Sequence, residues 1–497
     1  EAAAEDTGKS SRRGLRYAHK CLREIEATPR DAWMRPAAAL GRFVYTRSYE
    51  RELDINFDAL DRLRALSKDH LLLFLWSHKS HMDSFVFLLS LYDNDFRPTP
   101  LIFAGLNMNF LGFGSLARRI GAIFLRRSFN DDPIYKLVFR RYIDFLVAER
   151  VPLSWSIEGT RSRTGNLSTP KLGILNWVVE SCERQRAQNV LLVPVSIAFD
   201  QIAEIDDYVA IQSGKPKEKE SLRWFIDYVF GRESASGKVY VRYGEPLPLE
   251  VTSAPDDDLA AEELRRETVY TTAFEICRRI EQSTPIKSAD VLSMVLLGAN
   301  QRALSAGEMH AQAAEIVELI EERRLLTGTG FSLRDAGEVE AALLPMMQSG
   351  LVKRFDDASV KVYYIPEKKH LAAAYYRNTI THYFLPAALG EIALAMCAGE
   401  GEAADEASLR ARVMSLRDLY KFEFFFQLTD TFWREVLASV NKRYPGWQGD
   451  GVPLESLLRG SPPLFGHAIL RSITEAYLVI AGTPVSYTHL TLPTKIV

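Results

Sequence analysis

Cysteine is scarce and scattered: Cys21, Cys182, Cys277 and Cys397 are the only four in 497 residues, and no two form a CxxC pair. That argues against a disulfide framework and against a zinc site, and it suits a reducing compartment. An excess of one charge is also missing. With 61 Lys and Arg against 64 Asp and Glu, the net charge is −3, so no global field draws the chain to nucleic acid or to an anionic bilayer. No apolar run approaches the roughly 18 residues of a transmembrane helix. No basic start with an apolar middle marks a signal peptide, so work at a membrane is expected to be done lying on it. Glycine (29) and proline (22) are at ordinary levels, and neither a repeat nor a low-complexity tract is present, which sets aside fibrous and disordered classes.

What is present is enough apolar sequence, 47% of residues, to bury a large core, in a chain too long for one compact unit. The opening residue is Glu1, so a missing N-terminal stretch is expected. Residues 485–497, VSYTHLTLPTKIV, read as a non-native tail. Residues 1–57 mix basic and apolar positions and predict one or two helices.

From 58 to 250 short apolar runs alternate with amphipathic stretches. LLLFLW (71–76), PLIFAG (100–105), GAIFL (121–125), PLSWSI (152–157), VLLVPVSIAF (190–199) and KVYVRY (238–243) predict buried strands. Helical patterns lie between them, one opening with Asp132 and Pro133 in cap and first-turn positions. Alternation of this kind predicts an α/β domain with a largely parallel sheet surrounded by helices, its site at the strand C-terminal ends. From 251 to 484 the texture is mainly helical. Within it, residues 339–367 read as helix, turn and two short strands, a pattern shared with winged-helix modules.

Three strand ends carry candidate chemistry. SHKSHMDS follows the first strand and sets His78 five residues before Asp83. A neutral imidazole suits removal of a hydroxyl proton near pH 7, and a carboxylate on its far nitrogen fixes the tautomer. His81 reads as a support or cap. IEGTRSRTG (157–165) follows the PLSWSI strand and offers Arg161 and Arg163 beside Gly159 and Gly165, planar donors with close backbone for a phosphate dianion. Glu158 would be a costly charge there unless it anchors an arginine or a substrate hydroxyl. GAIFLRRSF ends its strand in Arg126 and Arg127. Each cluster alone is weak, whereas a base and four arginines on neighbouring strand ends is what a phosphorylated, hydroxylated acceptor requires.

HKSHMD, GAIFLRR, EGTRSRTG and VPVSIAF, in that order, resemble the four blocks of the glycerolipid acyltransferases, specifically the bacterial and mitochondrial glycerol-3-phosphate acyltransferase branch. GKPKEKES (214–221), VYVRYGEPLPL (239–249) and YYRNTITHYFLPAAL (375–389) resemble it too, so the likeness runs from about 60 to 400. The resemblance implies an acyltransferase domain with His78 and Asp83 as the catalytic pair. It implies that Arg127, with Arg126 beside it, and Glu158, Gly159, Arg161 and Arg163 bind glycerol 3-phosphate, and that Pro194 shapes the acyl-donor site. Lys79 and Ser84 depart from the Arg and Tyr common in close relatives.

The expected reaction is acyl transfer from acyl-CoA or acyl carrier protein to the sn-1 hydroxyl, at the cytoplasmic face of a bacterial inner membrane and in contact with its lipids. No metal or redox cofactor is expected. The alternatives are the same chemistry on dihydroxyacetone phosphate or lysophosphatidic acid, or a non-catalytic winged-helix-type interaction protein. No recognition helix rich in Lys and Arg accompanies the 339–367 segment, so nucleic acid is not an expected partner.

Overall fold

The computed structural model describes residues 11–106, 113–126, 131–216, 237–250, 258–357, 360–400, 405–448, 454–460 and 465–482. Arg127 and most of GKPKEKES lie outside these residues.

The predicted strands form where the apolar runs place them. They are β2 (Leu71–Trp76), β3 (Leu101–Gly105), β4 (Ala122–Leu125), β5 (Leu153–Ser156), β6 (Val190–Phe199) and β7 (Val239–Tyr243), joined by two short strands, β1 (Asp54–Ile55) and β8 (Leu247–Pro248). They make one eight-stranded sheet in the order β1-β7-β6-β2-β5-β3-β4, with β8 beside β6. Strands β2 to β6 run parallel, while β7 and β8 pair with β6 antiparallel. The register sets Leu75 beside Trp155 on one side and Pro194 on the other.

Every residue of β2 is buried, because helices cover both faces of the sheet; that is why its sequence is a continuous apolar run and does not alternate. Leu71, Leu73 and Leu75 face a core with Trp155, Phe139 and Val178. There the helices Pro133–Ala148, Leu172–Gln185 and Asp258–Gln282 pack. Asp132 caps the first of these through a hydrogen bond from Tyr135 N at 3.0 Å. Leu72, Phe74 and Trp76 face the other core, which holds Val86 and Phe87 together with Val291, Ile316, Phe384 and Val436 from the C-terminal region.

That region is helical, as expected, from Ser288–Gly298 through Thr429–Arg443. The winged-helix-like segment is the helix Ala336–Gln348 followed by the antiparallel pair β9 (Lys353–Asp357) and β10 (Val360–Tyr364). Its β9 is exposed throughout and carries both signs of charge, Lys353 and Arg354 against Asp356 and Asp357. Among the described residues no single helix is long and apolar enough to cross a membrane.

Candidate active site

The site lies where β2, β5 and β6 end. β2 stops at Trp76, and the chain turns through His78 into the helix Asp83–Tyr92. Nδ1 of His78 lies 2.8 Å from Oδ2 of Asp83. The same oxygen accepts from the backbone N–H groups of Lys79 at 2.6 Å and Ser80 at 2.9 Å. Asp83 is fully buried, whereas the His78 side chain keeps about a quarter of its surface exposed (24%). Its ring stands edge-on to Trp76, 5.2 Å between centroids. Asp83 also opens the first turn of its helix, where the helix dipole favours a negative charge. With Nδ1 tied to a carboxylate, Nε2 is the nitrogen left to exchange a proton with a substrate.

The turn after β5 is bound directly to this loop. Glu158 is buried, and its two carboxylate oxygens accept from His78 N at 2.7 Å and Ser168 N at 3.0 Å. Ser162 N donates to His78 O at 2.8 Å. Glu158 thus anchors backbone amides of both loops, in place of the arginine or substrate hydroxyl that the sequence suggested. Burial pushes its carboxyl above the usual range, opposed first by the charge of Lys79. Gly159 and Gly165 both adopt positive φ, 64° and 90°. A Cβ on Gly165 would sit 2.0 Å from the carbonyl oxygen of Tyr375, so the turn closes against the YYRNTITHYF segment, where Asn378 Nδ2 donates to Thr164 O at 2.8 Å.

The three described candidate arginines separate clearly. Arg161 stands over Tyr208, its guanidinium 5.9 Å from the ring centre, and the Tyr208 hydroxyl donates to Lys79 O on the His78 loop at 2.8 Å. Arg163 is half-buried on the same turn, its carbonyl accepting from Gln212 Nε2 at 2.7 Å. Arg126 does not join them. Its Nε and Nη2 donate to Glu24 at 2.6 and 2.8 Å, and Nη1 donates to Asp132 at 3.0 Å. It ends β4, the edge strand, three strands from β2 and so about 14 Å across the sheet at about 4.8 Å per strand. The expectation that Arg126 binds substrate is corrected accordingly: carboxylates from the N-terminal helix Ser11–Ile25 and from the Asp132 cap occupy its donors.

Pro194 lies inside β6, where a missing N–H would normally break a ladder. Its carbonyl accepts from Gly244 N at 2.8 Å, so its nitrogen faces the same side, between the β8 pairing at Leu192 and the β7 pairing at Val195. The missing N–H therefore falls at the break between those two pairings.

Sequence reasoning missed Glu204, whose Oε1 accepts from Ser80 Oγ at 2.9 Å and from His81 N at 3.0 Å and pins the HKSH turn. The only signal available was its place just past the end of β6. The His81 bond is made by its backbone amide.

A family model described as Acyltransferase matches residues 55–198, the span holding β2 to β6 and both loops, so the class defined here is an acyltransferase. Residues 208–495 match a second model, the glycerol-3-phosphate acyltransferase C-terminal region. This chain belongs to the glycerol-3-phosphate acyltransferase family. It is 32% identical over 492 residues to a Mycobacterium tuberculosis (H37Rv) protein named as the acyltransferase plsB1, covering 97% of this chain and 77% of that one. It is 30% identical over 420 residues to the glycerol-3-phosphate acyltransferase of Shewanella frigidimarina, covering 82% of this chain and 51% of the relative. Among solved structures, the 1-acyl-sn-glycerophosphate acyltransferase PlsC of Thermotoga maritima aligns with 49% of this chain and 79% of its own, at 18% identity and a TM-score of 0.28.

Proposed function

We propose that the protein transfers a fatty acyl group from a thioester, acyl-CoA or acyl carrier protein, to the sn-1 hydroxyl of glycerol 3-phosphate. The observation that carries this reading is the buried Asp83 holding Nδ1 of a partly exposed His78 on a loop bonded to the turn of Arg161. The phosphate lies against Arg161 and Arg163, with Arg127 assigned by resemblance. Nε2 of His78 takes the hydroxyl proton as the oxygen attacks the thioester carbonyl. The new C–O bond gives a tetrahedral oxyanion, the C–S bond then breaks, and the imidazolium returns the proton to the departing thiolate. The products are 1-acylglycerol 3-phosphate and a free thiol. Asp83 stabilises the imidazolium between these steps. The direct transfer calls on no metal or redox cofactor.

The test is thiol release from palmitoyl-CoA with and without glycerol 3-phosphate, in wild type, His78→Ala and Arg161→Ala. Release that depends on glycerol 3-phosphate, is abolished in His78→Ala and shows a raised acceptor KM in Arg161→Ala supports both roles. Full activity in His78→Ala sinks the general-base assignment, and equal rates with dihydroxyacetone phosphate or lysophosphatidic acid would reassign the acceptor.

We further propose contact with the cytoplasmic face of a membrane. The helix Asp31–Tyr45 exposes Trp33 (38%), Leu40 (42%) and Phe43 (47%), with Arg30 and Arg35 exposed beside them, the mixture that suits an anionic lipid surface. Sedimentation with anionic vesicles should fall in a Trp33→Ala/Phe43→Glu variant. An unchanged bound fraction would remove this helix from the contact.

A further inference from the structure

Lys79 follows the base directly, yet its side chain is buried, 9% exposed. Its ammonium donates to the carbonyl oxygens of Gly165 at 2.9 Å and Asn166 at 3.0 Å, on the turn that carries Arg161 and Arg163. Its backbone N–H donates to Asp83 Oδ2 at 2.6 Å, and its backbone carbonyl accepts from Tyr208 at 2.8 Å. This one residue therefore touches the carboxylate behind the base, the arginine-bearing turn, and the ring beneath Arg161. Burial pulls the Lys79 ammonium pKa down, while the nearby charges of Glu158, Glu281 and Asp83 push it back up. Burying a charge is expensive, and an apolar side chain would fill the same volume without that cost. The ammonium also reaches a cavity of about 30 Å³, lined by Ser77 and Leu167 and, from the C-terminal region, by Glu281, Tyr375 and His382. The C-terminal region thereby completes the surroundings of a catalytic-loop side chain.

We propose that Lys79 is a positioning residue for the acceptor phosphate: its buried ammonium clamps the turn at Gly165 and Asn166 to the His78 loop, holding base and arginines at one spacing. The assignment of a phosphate to that turn rests on the function proposed above; the clamp itself does not. A phosphate dianion bound at Arg161 must keep its sn-1 hydroxyl within hydrogen-bond reach of Nε2, and a shift of about 1 Å between the two loops is enough to cost about 100-fold.

The experiment compares wild type, Lys79→Met and Lys79→Arg by two readouts. One is backbone amide exchange over residues 158–168 in the free protein, and the other is the kcat and KM of glycerol-3-phosphate-dependent thiol release. Lys79→Met should speed exchange in 158–168 and lower kcat/KM for glycerol 3-phosphate about 10- to 100-fold, most of it in kcat, because the arginines stay on the turn while its spacing from the base is lost. Lys79→Arg, which keeps a buried cationic donor, should recover most of both. If Lys79→Met does not fold, Lys79→Gln, with a shorter neutral donor, is held to the same expectations. Unchanged exchange over 158–168, or faster exchange with kcat/KM within about twofold of wild type, overturns the clamp. Faster exchange in a protein whose wild type releases no thiol with glycerol 3-phosphate would leave the clamp standing and remove the acceptor assignment.

Discussion

One oxygen of Asp83 serves three donors, the imidazole of His78 and the amides of Lys79 and Ser80, so this carboxylate builds the loop as well as orienting the His78 ring. Asp83→Asn replaces a charge-assisted acceptor by a neutral amide and frees the imidazole to take the other tautomer. We expect kcat to fall about 10³- to 10⁴-fold with a modest change in KM, read by steady-state kinetics beside a circular dichroism check of the fold. The His78–Asp83 pair was legible in the sequence because both residues sit on one strand-to-helix turn, where spacing fixes distance. Glu204 and Tyr208 were not, because they reach the same loop from 124 and 129 residues away. Arg126 shows the converse failure: a basic pair at a strand end looks open to a ligand until Glu24, 102 residues away, is found on its guanidinium.

Among the elements, the long strands were readable because burial on both faces forces continuous apolar runs bounded by polar loops. β1 and β8, two residues each, carry no period and could be located only by their partners. The turn after β5 depends on a glycine that the sequence marked without explaining. At Gly165 a φ of 90° and the Tyr375 carbonyl oxygen 2.0 Å from any added Cβ act together. Gly165→Ala should therefore destabilise the protein by more than about 1 kcal/mol and raise the acceptor KM. Gly307→Ala, in the helix Ala306–Glu322 with nothing within 4 Å of its added Cβ, should be neutral or stabilise by about 0.5 kcal/mol. Denaturant midpoints of the two variants measure the contrast, and equal shifts would contradict this account.

At the scale of the whole molecule, the C-terminal helices share a core with the sheet, so damage far from the site should reach the whole fold. Phe384→Ala empties a fully buried position in that core and should cost about 3–5 kcal/mol, seen as a lower midpoint in one transition followed by both far-UV signal and activity. Glu281 adds a pH dependence. Burial pushes its carboxyl from the usual 4.5 to about 8, with Lys79 pulling it back down. The folded chain then holds a proton that the unfolded chain releases between those values, and stability from this group is lost as pH rises from about 4.5 to 8. Glu281→Gln should flatten that decline between pH 5.5 and 8 in denaturant midpoints, and an equally steep decline would contradict the assignment. By itself the sequence determined the strands, the α/β class, the histidine and carboxylate of the site, and the order of the four family blocks, because burial period and turn spacing are local properties. Only the tertiary structure decided that Arg161 stands over Tyr208 while Arg126 is held by Glu24, that Glu158 binds amides, and that Lys79 joins two loops. Those outcomes depend on which distant groups meet in a buried place, where every charge must find a partner.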